Sequence, residues 1–366
     1  MRRVVLAGCG HAHLEVVRNA AGFLARDTEL VLVDPGRFWY SGLGSGLLGG
    51  RFTDREDTVE PERLAAACGA VFRRDLVTSI DRQARRVLLR SGESLDYDLV
   101  SFNVGSVADS PFPAGDCVWT IKPIALIPDL RRRLEEDSDF RRIVVAGGGA
   151  TGCELAGNLL HLAASLDRPL AVELVHGGPE LLASAPRGLR RRVSDDLSAR
   201  GATIRLGTQI ARLDGNEAIL ESGGRIGFDI LLTATGLVAN PLVKSLGLPS
   251  REAGLRVLPT LQSVDDPHIF AAGDCAAIEG YDLPKIGVYG VRAAPFLLAN
   301  LLASLDRRPP RPYRPQKRYL SILDLAGGKG FAMRGPLWWE GRSALRLKDF
   351  LDQRFLQRYR RLYESG

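Results

Sequence analysis

Val4 to Asp34 reads VVLAGCGHAHLEVVRNAAGFLARDTELVLVD: a short apolar run, a glycine turn, a helical stretch, and a second apolar run that stops on an acid. That order predicts a strand, a helix and a parallel strand, the βαβ plan of a dinucleotide-binding unit. Gly8 permits the tight turn after the strand Val4 to Ala7, and Gly10 lets the main chain approach a pyrophosphate. The helix that follows points its N-terminal N–H groups at the phosphates. Asp34 stands where a carboxylate ending the second strand binds ribose hydroxyls. The third glycine position of the motif holds His13, so helix and strand are expected to pack less closely there. A single GxGxxG carries little weight. What lifts it is a second and complete copy, IVVAGGGATGCE, at Ile143 to Glu154.

In that copy Gly147, Gly149 and Gly152 supply all three glycines, after a four-residue apolar strand and before a helix. Glu154 is expected in the first helical turn, where the helix dipole stabilises a carboxylate that can also reach a ribose or nicotinamide. The second strand, Ala171 to Val175, ends on His176 where an acid is usual. A histidine there can donate to a hydroxyl or, when protonated, meet a 2′-phosphate, and a plain surface role is equally open. Further on, Tyr97 to Ser106 and Phe228 to Leu237 read as buried strands that run into Gly105 and Gly236. They occupy matching places in two related halves, so the chain reads as an internal duplication of a nucleotide-binding domain.

With 366 residues the chain suits two domains and a smaller appendage. Hydrophobic residues at 45% and charged residues at 25% are ordinary for a soluble globular protein. No apolar run approaches the roughly 18 residues of a spanning helix, and the N-terminus enters a strand without a signal peptide's apolar region, so a cytoplasmic location is expected. Cys9, Cys68, Cys117, Cys153 and Cys275 show no CxxC and no metal-ligand spacing; with few histidines, a metal site is not expected. Cys9, Cys153 and Cys275 lie in glycine-rich turns, where packing is the expected role. The net charge of +6 is uneven: Asp306 to Gly366 carries 15 Lys or Arg against 6 Asp or Glu.

Pro35 to Gly50, PGRFWYSGLGSGLLGG, is too rich in glycine for a stable helix or regular strand. It can follow an extended cofactor, with Phe38, Trp39 and Tyr40 covering a flat ring; a mobile surface loop with three core aromatics is the alternative. A helix is expected at Pro61 to Ala67, a β-meander after it, and a charged helix at Pro128 to Asp137. A helix at Arg187 to Arg200 and a strand near Thr203 to Leu206 repeat the first half's logic. In TLQSVDDPHIFAAGDCA, Thr260 to Ala276, a strand ends in Gly273-Asp274.

With two glycine motifs, two strand-plus-glycine segments and a Gly-Asp motif in this order, nearly the whole chain resembles the FAD- and NAD(P)-dependent pyridine nucleotide-disulfide oxidoreductase superfamily, in particular its type II NADH dehydrogenase branch. GCGHAHLEVVR, YSGLGSGLLGG, PKIGVYGVR and RPYRPQKRYLSIL look closest to the oxidoreductase half fused to some selenide, water dikinases, where the third glycine of the first motif is also a histidine. The resemblance implies an α/β fold of two Rossmann-like domains, for FAD and NAD(P), with a small C-terminal domain. The FAD-binding domain would be discontinuous, residues 1–116 and 256–304; residues 117–255 would bind NAD(P)H, and 305–366 would form the C-terminal domain. Gly8, Gly10, His13, Asp34, Gly105, Gly273 and Asp274 then belong to the FAD site. Gly147, Gly149, Gly152, Glu154 and Gly236 belong to the NAD(P)H site. Lys285, at the start of a helix running to about Leu302, would face the flavin's pyrimidine edge as the catalytic cation; a surface charge is the other reading.

The implied activity is hydride transfer from NAD(P)H to FAD and onward to a small acceptor, with quinone expected and nucleic acid not. The CxxxxC pair of the disulfide reductases is absent. Cys275 sits in the cofactor turn, which disfavours a sulfide:quinone reductase, and GVYGVRAAP lacks the glutamines usual at a type II quinone site. A flavin- and nucleotide-binding regulatory module with slow turnover is the alternative from another class. In the tail, Lys348 to Tyr363 reads as a basic amphipathic helix. Phe350, Leu351, Phe355, Tyr359 and Leu362 recur at helical spacing among Arg354, Arg358, Arg360 and Arg361, near Trp338 and Trp339. Contact with the inner face of the cell membrane, with Phe355 and Tyr359 in the lipid boundary, is one reading; a helix docked on its own domain is the other.

Overall fold

The computed structural model of the chain describes residues 1–364. The first half runs β1 (Arg2–Ala7), α1 (His11–Arg18), β2 (Thr28–Val33), β3 (Val71–Arg73) and β4 (Leu99–Phe102). The second runs β5 (Val118–Thr120), β6 (Arg142–Ala146), α2 (Ala150–Ser165), β7 (Ala171–His176), β8 (Thr203–Leu206) and β9 (Ile230–Thr233). The chain then adds β10 (Ile269–Ala271), α3 (Gly287–Leu305), β11 (Ser321–Asp324), β12 (Gly330–Arg334), β13 (Leu337–Gly341) and α4 (Arg342–Glu364). Two five-stranded sheets result, ordered β10-β4-β1-β2-β3 and β5-β9-β6-β7-β8, and every pairing in both is parallel. Because β10 joins β4, the segment after the second sheet returns to complete the first.

The central strands are runs of Val, Leu, Ile and Ala buried on both faces, the pattern that a parallel sheet covered by helices on either side demands. The two sheets match residue for residue. Ala7 lies level with Val33 on one side and Phe102 on the other; Ala146 lies level with Val175 and Thr233. Counting one residue on, Asp34 corresponds to His176 and Asn103 to Ala234. Beyond these strands, Ser106–Ala108 and Leu237–Ala239 pair antiparallel with each other, so the segments that leave Gly105 and Gly236 tie the halves together.

The helix α3 is long and apolar enough to cross a membrane, which corrects the expectation that no segment is. Its Ala293, Ala294, Leu297 and Leu301 are buried in the core it shares with α1, and Tyr289 and Gly290 are buried as well. The antiparallel sheet β11-β12-β13 leans on α2, where the main chain of Leu325 comes so close that a side chain at Gly157 would collide with it.

The terminal helix begins at Arg342, earlier than its sequence pattern suggested, and lies along the first half. Ala344, Lys348, Asp352, Leu356 and Tyr359 face inward. Lys348 Nζ donates to Asp352 Oδ2 at 2.7 Å, and the Tyr40 hydroxyl donates to Asp352 Oδ1 at 2.9 Å. Phe355 stacks on Tyr40, ring centroids 4.9 Å apart, beside His11. The reading that put Phe355 and Tyr359 in a lipid boundary is therefore corrected: both pack on the protein. Arg360 fixes the helix further, donating to the carbonyls of Thr58 and Arg55.

Candidate cofactor sites

Both glycine turns sit at the C-terminal ends of central strands, with the same framing bonds. The Gly8 amide donates to the Val33 carbonyl at 2.8 Å, and the Gly147 amide to the Val175 carbonyl at 2.8 Å. Gly8 and Gly147 both have positive φ, +83° and +119°, which a side chain would strain. After that the turns diverge.

In the first turn a buried asparagine holds three segments together. Asn103 Oδ1 accepts from the amides of Ala12 at 2.9 Å and His13 at 3.3 Å, while its Nδ2 donates to the Ala272 carbonyl at 2.6 Å. It thus joins the start of α1 to the ends of β4 and β10, and two of the first-turn amides expected to face a phosphate are already engaged. The same amide makes glycine obligatory at Gly10 and Gly273, since a Cβ at either would run into the Asn103 side chain. His13 does not loosen the packing as its size suggested. Its ring is fully buried; Nδ1 donates to the Gly8 carbonyl at 2.5 Å, and Nε2, left as acceptor, takes the Ser101 hydroxyl at 2.8 Å. Burial lowers its pKa to about 4, so the neutral tautomer is the native one.

Asp34 accepts from the amides of Cys9 at 2.7 Å and Gly36 at 3.0 Å, placing its carboxylate at the mouth of the turn; burial nonetheless raises its pKa to about 6. Asp274 forms a closed triangle with two residues that sequence reasoning missed. Ser106 Oγ donates to Asp274 Oδ2 at 2.7 Å, and Lys122 Nζ reaches the same oxygen at 2.9 Å and Ser106 Oγ at 2.7 Å. Burial pushes Asp274 up, but the Lys122 ammonium and the Ser106 hydroxyl outweigh it and hold the carboxyl below its usual range. His11 lines the same space, its pKa lowered to about 4 by burial, with Asp274 and Lys122 both close enough to act on it.

Lys285 meets this triangle through the main chain of Asp274 and not through its carboxylate. It precedes the helix, which begins at Gly287, and its ammonium donates to the carbonyls of Ala253 and Asp274, each at 2.6 Å. Those bonds make it a strut between the Gly273-Asp274 turn and the turn at Ala253.

The second turn has no counterpart of the Asn103 brace. A Cβ at Gly152 would strike the Gly147 carbonyl oxygen, so this helix rests directly on its strand. Ala234 stands where the first half has Asn103, so no side-chain amide ties this helix to the neighbouring strand ends; the Cys153 thiol, donating to the Gly148 carbonyl at 3.8 Å, is the side-chain bond within the turn. Gly149 caps α2 with nothing within 4 Å of where a Cβ would be, the opening a pyrophosphate needs. The His176 ring lies against Gly148 and Gly178, at the rim of that opening. Glu154 falls one turn later than expected, because α2 starts at Ala150. Its Oε1 accepts from the Asp324 amide at 2.9 Å, and burial, partly offset by the Lys348 ammonium, raises its pKa to about 7.

All five cysteines are free thiols. Cys9, Cys153 and Cys275 are buried, and burial raises the pKa of each, to about 12 at Cys153 and about 11 at Cys275. Such thiols are poor nucleophiles, in keeping with packing roles.

Residues 2–294 match the model of the family described as pyridine nucleotide-disulphide oxidoreductase. The chain is 28% identical over 297 residues to the demethylphylloquinone reductase of Synechocystis sp., covering 75% of this chain and 72% of that protein. It is 32% identical over 192 residues to the type II NADH:quinone oxidoreductase of Haemophilus influenzae, covering 49% of this chain and 43% of that one, less than half of the relative's length. The sulfide:quinone oxidoreductase structure from Aquifex aeolicus aligns with a TM-score of 0.83 over 100% of this chain and 93% of that one, at 17% identity, a likeness of fold.

Proposed function

The chain belongs to the pyridine nucleotide-disulphide oxidoreductase family, and we propose that it is an FAD-dependent oxidoreductase carrying a hydride from NAD(P)H to the flavin and electrons to a quinone or similar small acceptor. The observation that carries this reading is the pair of glycine turns on equivalent sheets, one braced and one open. A tightly held prosthetic group suits the braced turn, where Asn103 rigidifies the approach and Asp34 and Asp274 offer carboxylates to sugar and ribityl hydroxyls. A co-substrate that comes and goes suits the open one at Gly149. In the FAD half, residues 1–116 and 256–304, Gly8, Gly10 and Gly273 keep the turn close to the ligand. Residues 117–255 form the NAD(P)H half. Bound in the FAD half, flavin would supply the two-electron chemistry that separates donor from acceptor. His176 in place of the strand-end acid removes the carboxylate that would repel a 2′-phosphate, so both NADH and NADPH are accepted as donors.

A quinone acceptor accords with the names of the relatives. For a lipid-soluble acceptor the terminal helix offers a membrane contact that differs from the one its sequence suggested: Phe350, Leu351 and Leu362 are exposed, with Arg354 among them, while Leu337, Trp338 and Trp339 project from β13. Phe350→Asp with Arg354→Glu should release the protein from anionic liposomes and leave its fold intact; unchanged binding would place the contact elsewhere.

Anaerobic addition of NADH or NADPH to the purified yellow protein tests the activity. Rapid bleaching, reversed by quinone, is expected. A protein that holds flavin and nucleotide but bleaches only over many minutes would be the regulatory module instead.

A further inference from the structure

Lys122 belongs by chain position to the second half, two residues beyond β5 at the edge of the second sheet, yet its ammonium is delivered to the first. It bonds Asp274 Oδ2 at 2.9 Å and Ser106 Oγ at 2.7 Å, with the lysine side chain 18% and the aspartate side chain 13% exposed. Lys285, the cation that the sequence offered for the flavin, has its Nζ on two main-chain carbonyls instead. Within the site that Asp274, Ser106 and His11 share, Lys122 is the ammonium bonded to a carboxylate. We propose that Lys122 is the cation that sets the reduction potential of the bound flavin, and that the Lys122–Asp274 pair balances charge at that site.

Lys122 takes this role only with the first half read as the FAD site. A flavin that takes up a hydride gains negative charge, and charges in a partly buried site act on it through an effective dielectric far below that of water. With both partners present the pair is neutral as a unit and its field is small. Remove the ammonium and the Asp274 carboxylate is left unbalanced, opposing the added charge. Remove the carboxylate charge and the ammonium is left unbalanced, favouring it. The two substitutions must therefore move the potential in opposite directions, which a strut that merely holds two segments together has no reason to do. Because Lys122 comes from the second half, the same pair makes the flavin's potential depend on how that half is seated.

The test is spectroelectrochemical titration of flavin-loaded protein, together with the FAD dissociation constant of the apoprotein. Lys122→Gln is expected to shift the midpoint potential negative, Asp274→Asn to shift it positive, and Lys122→Arg to stay near wild type. If Lys122→Gln does not retain FAD, Asp274→Asn still decides, since a positive shift supports the proposal and a negative or absent one overturns it. Shifts of the same sign in both variants, with FAD affinity falling in parallel, would make the pair a structural tie. A wild-type protein that binds no FAD would instead remove the reading of the first half on which the proposal stands.

Discussion

The two glycine turns descend from the same local plan and solve the close approach of helix to strand in opposite ways. At Gly152 the second turn uses absence: no side chain, and α2 settles on the Gly147 carbonyl. At the same place the first turn uses His13, whose ring replaces that contact with hydrogen bonds to Gly8 and Ser101. Asn103 then ties the first turn to the ends of two neighbouring strands, which Ala234 cannot do in the second. A permanent ligand gains from a preformed, rigid site, because ordering is not repeated at each encounter. An exchanging ligand gains from an open one. On this account the side chains around each turn, more than the glycines they share, decide which nucleotide stays.

The most damaging change should be Gly152→Ala, since backbone meets backbone and neither can yield: a loss of more than about 4 kcal/mol is expected, read as a thermal melt in which the second half unfolds early. A variant with wild-type melting would mean that α2 does not need its direct contact with the strand. Next comes Asn103→Ala, which orphans the buried Ala12 amide and takes one of two partners from the His13 amide and the Ala272 carbonyl, roughly 3 kcal/mol. It should lower FAD content sharply while NAD(P)H affinity in flavin-reconstituted protein stays near wild type. Equal losses at both sites would erase the contrast between the turns.

Much of this was legible in the chain. The two motifs, the strand-plus-glycine segments and Gly273-Asp274 each announce themselves through local pattern, because a parallel strand buried on both faces must be apolar and the turn after it must be small. What stayed hidden depends on partners far away in sequence. Asn103 looks like one polar residue after a strand until β10 brings Ala272 to its amide. Lys122 looks like a linker charge until the second half places it on Asp274. His13 read as a misfit because the Ser101 that satisfies it lies 88 residues on. The tail misled for a related reason: amphipathic spacing identifies an apolar face but not whether protein or lipid covers it, and Tyr40 and His11 cover Phe355.

His13 gives the comparison a pH signature of its own. Its pKa, lowered by burial to about 4 in the folded chain against an ordinary 6.5, means that the unfolded chain binds the extra proton between those values. Stability from this group is thus full above about 6.5 and is lost as pH falls toward about 4, by about 3 kcal/mol in all. Relative to His13→Gln, which does not titrate, wild type should weaken by that amount across the window in denaturant melts of the apoprotein. A pH-independent difference would place the native ring in its charged form and undo the tautomer assigned here.

The mildest substitution is also the most direct test of the division between the turns. Gly149 faces open space, so Gly149→Ala leaves the fold alone and intrudes only on a ligand. An apparent KM for NAD(P)H raised about tenfold, equivalent to about 1.4 kcal/mol, is expected, with FAD content and melting temperature unchanged. Protein that loses FAD while its nucleotide KM stays put would contradict it, showing that the open turn holds the flavin and the braced one the donor.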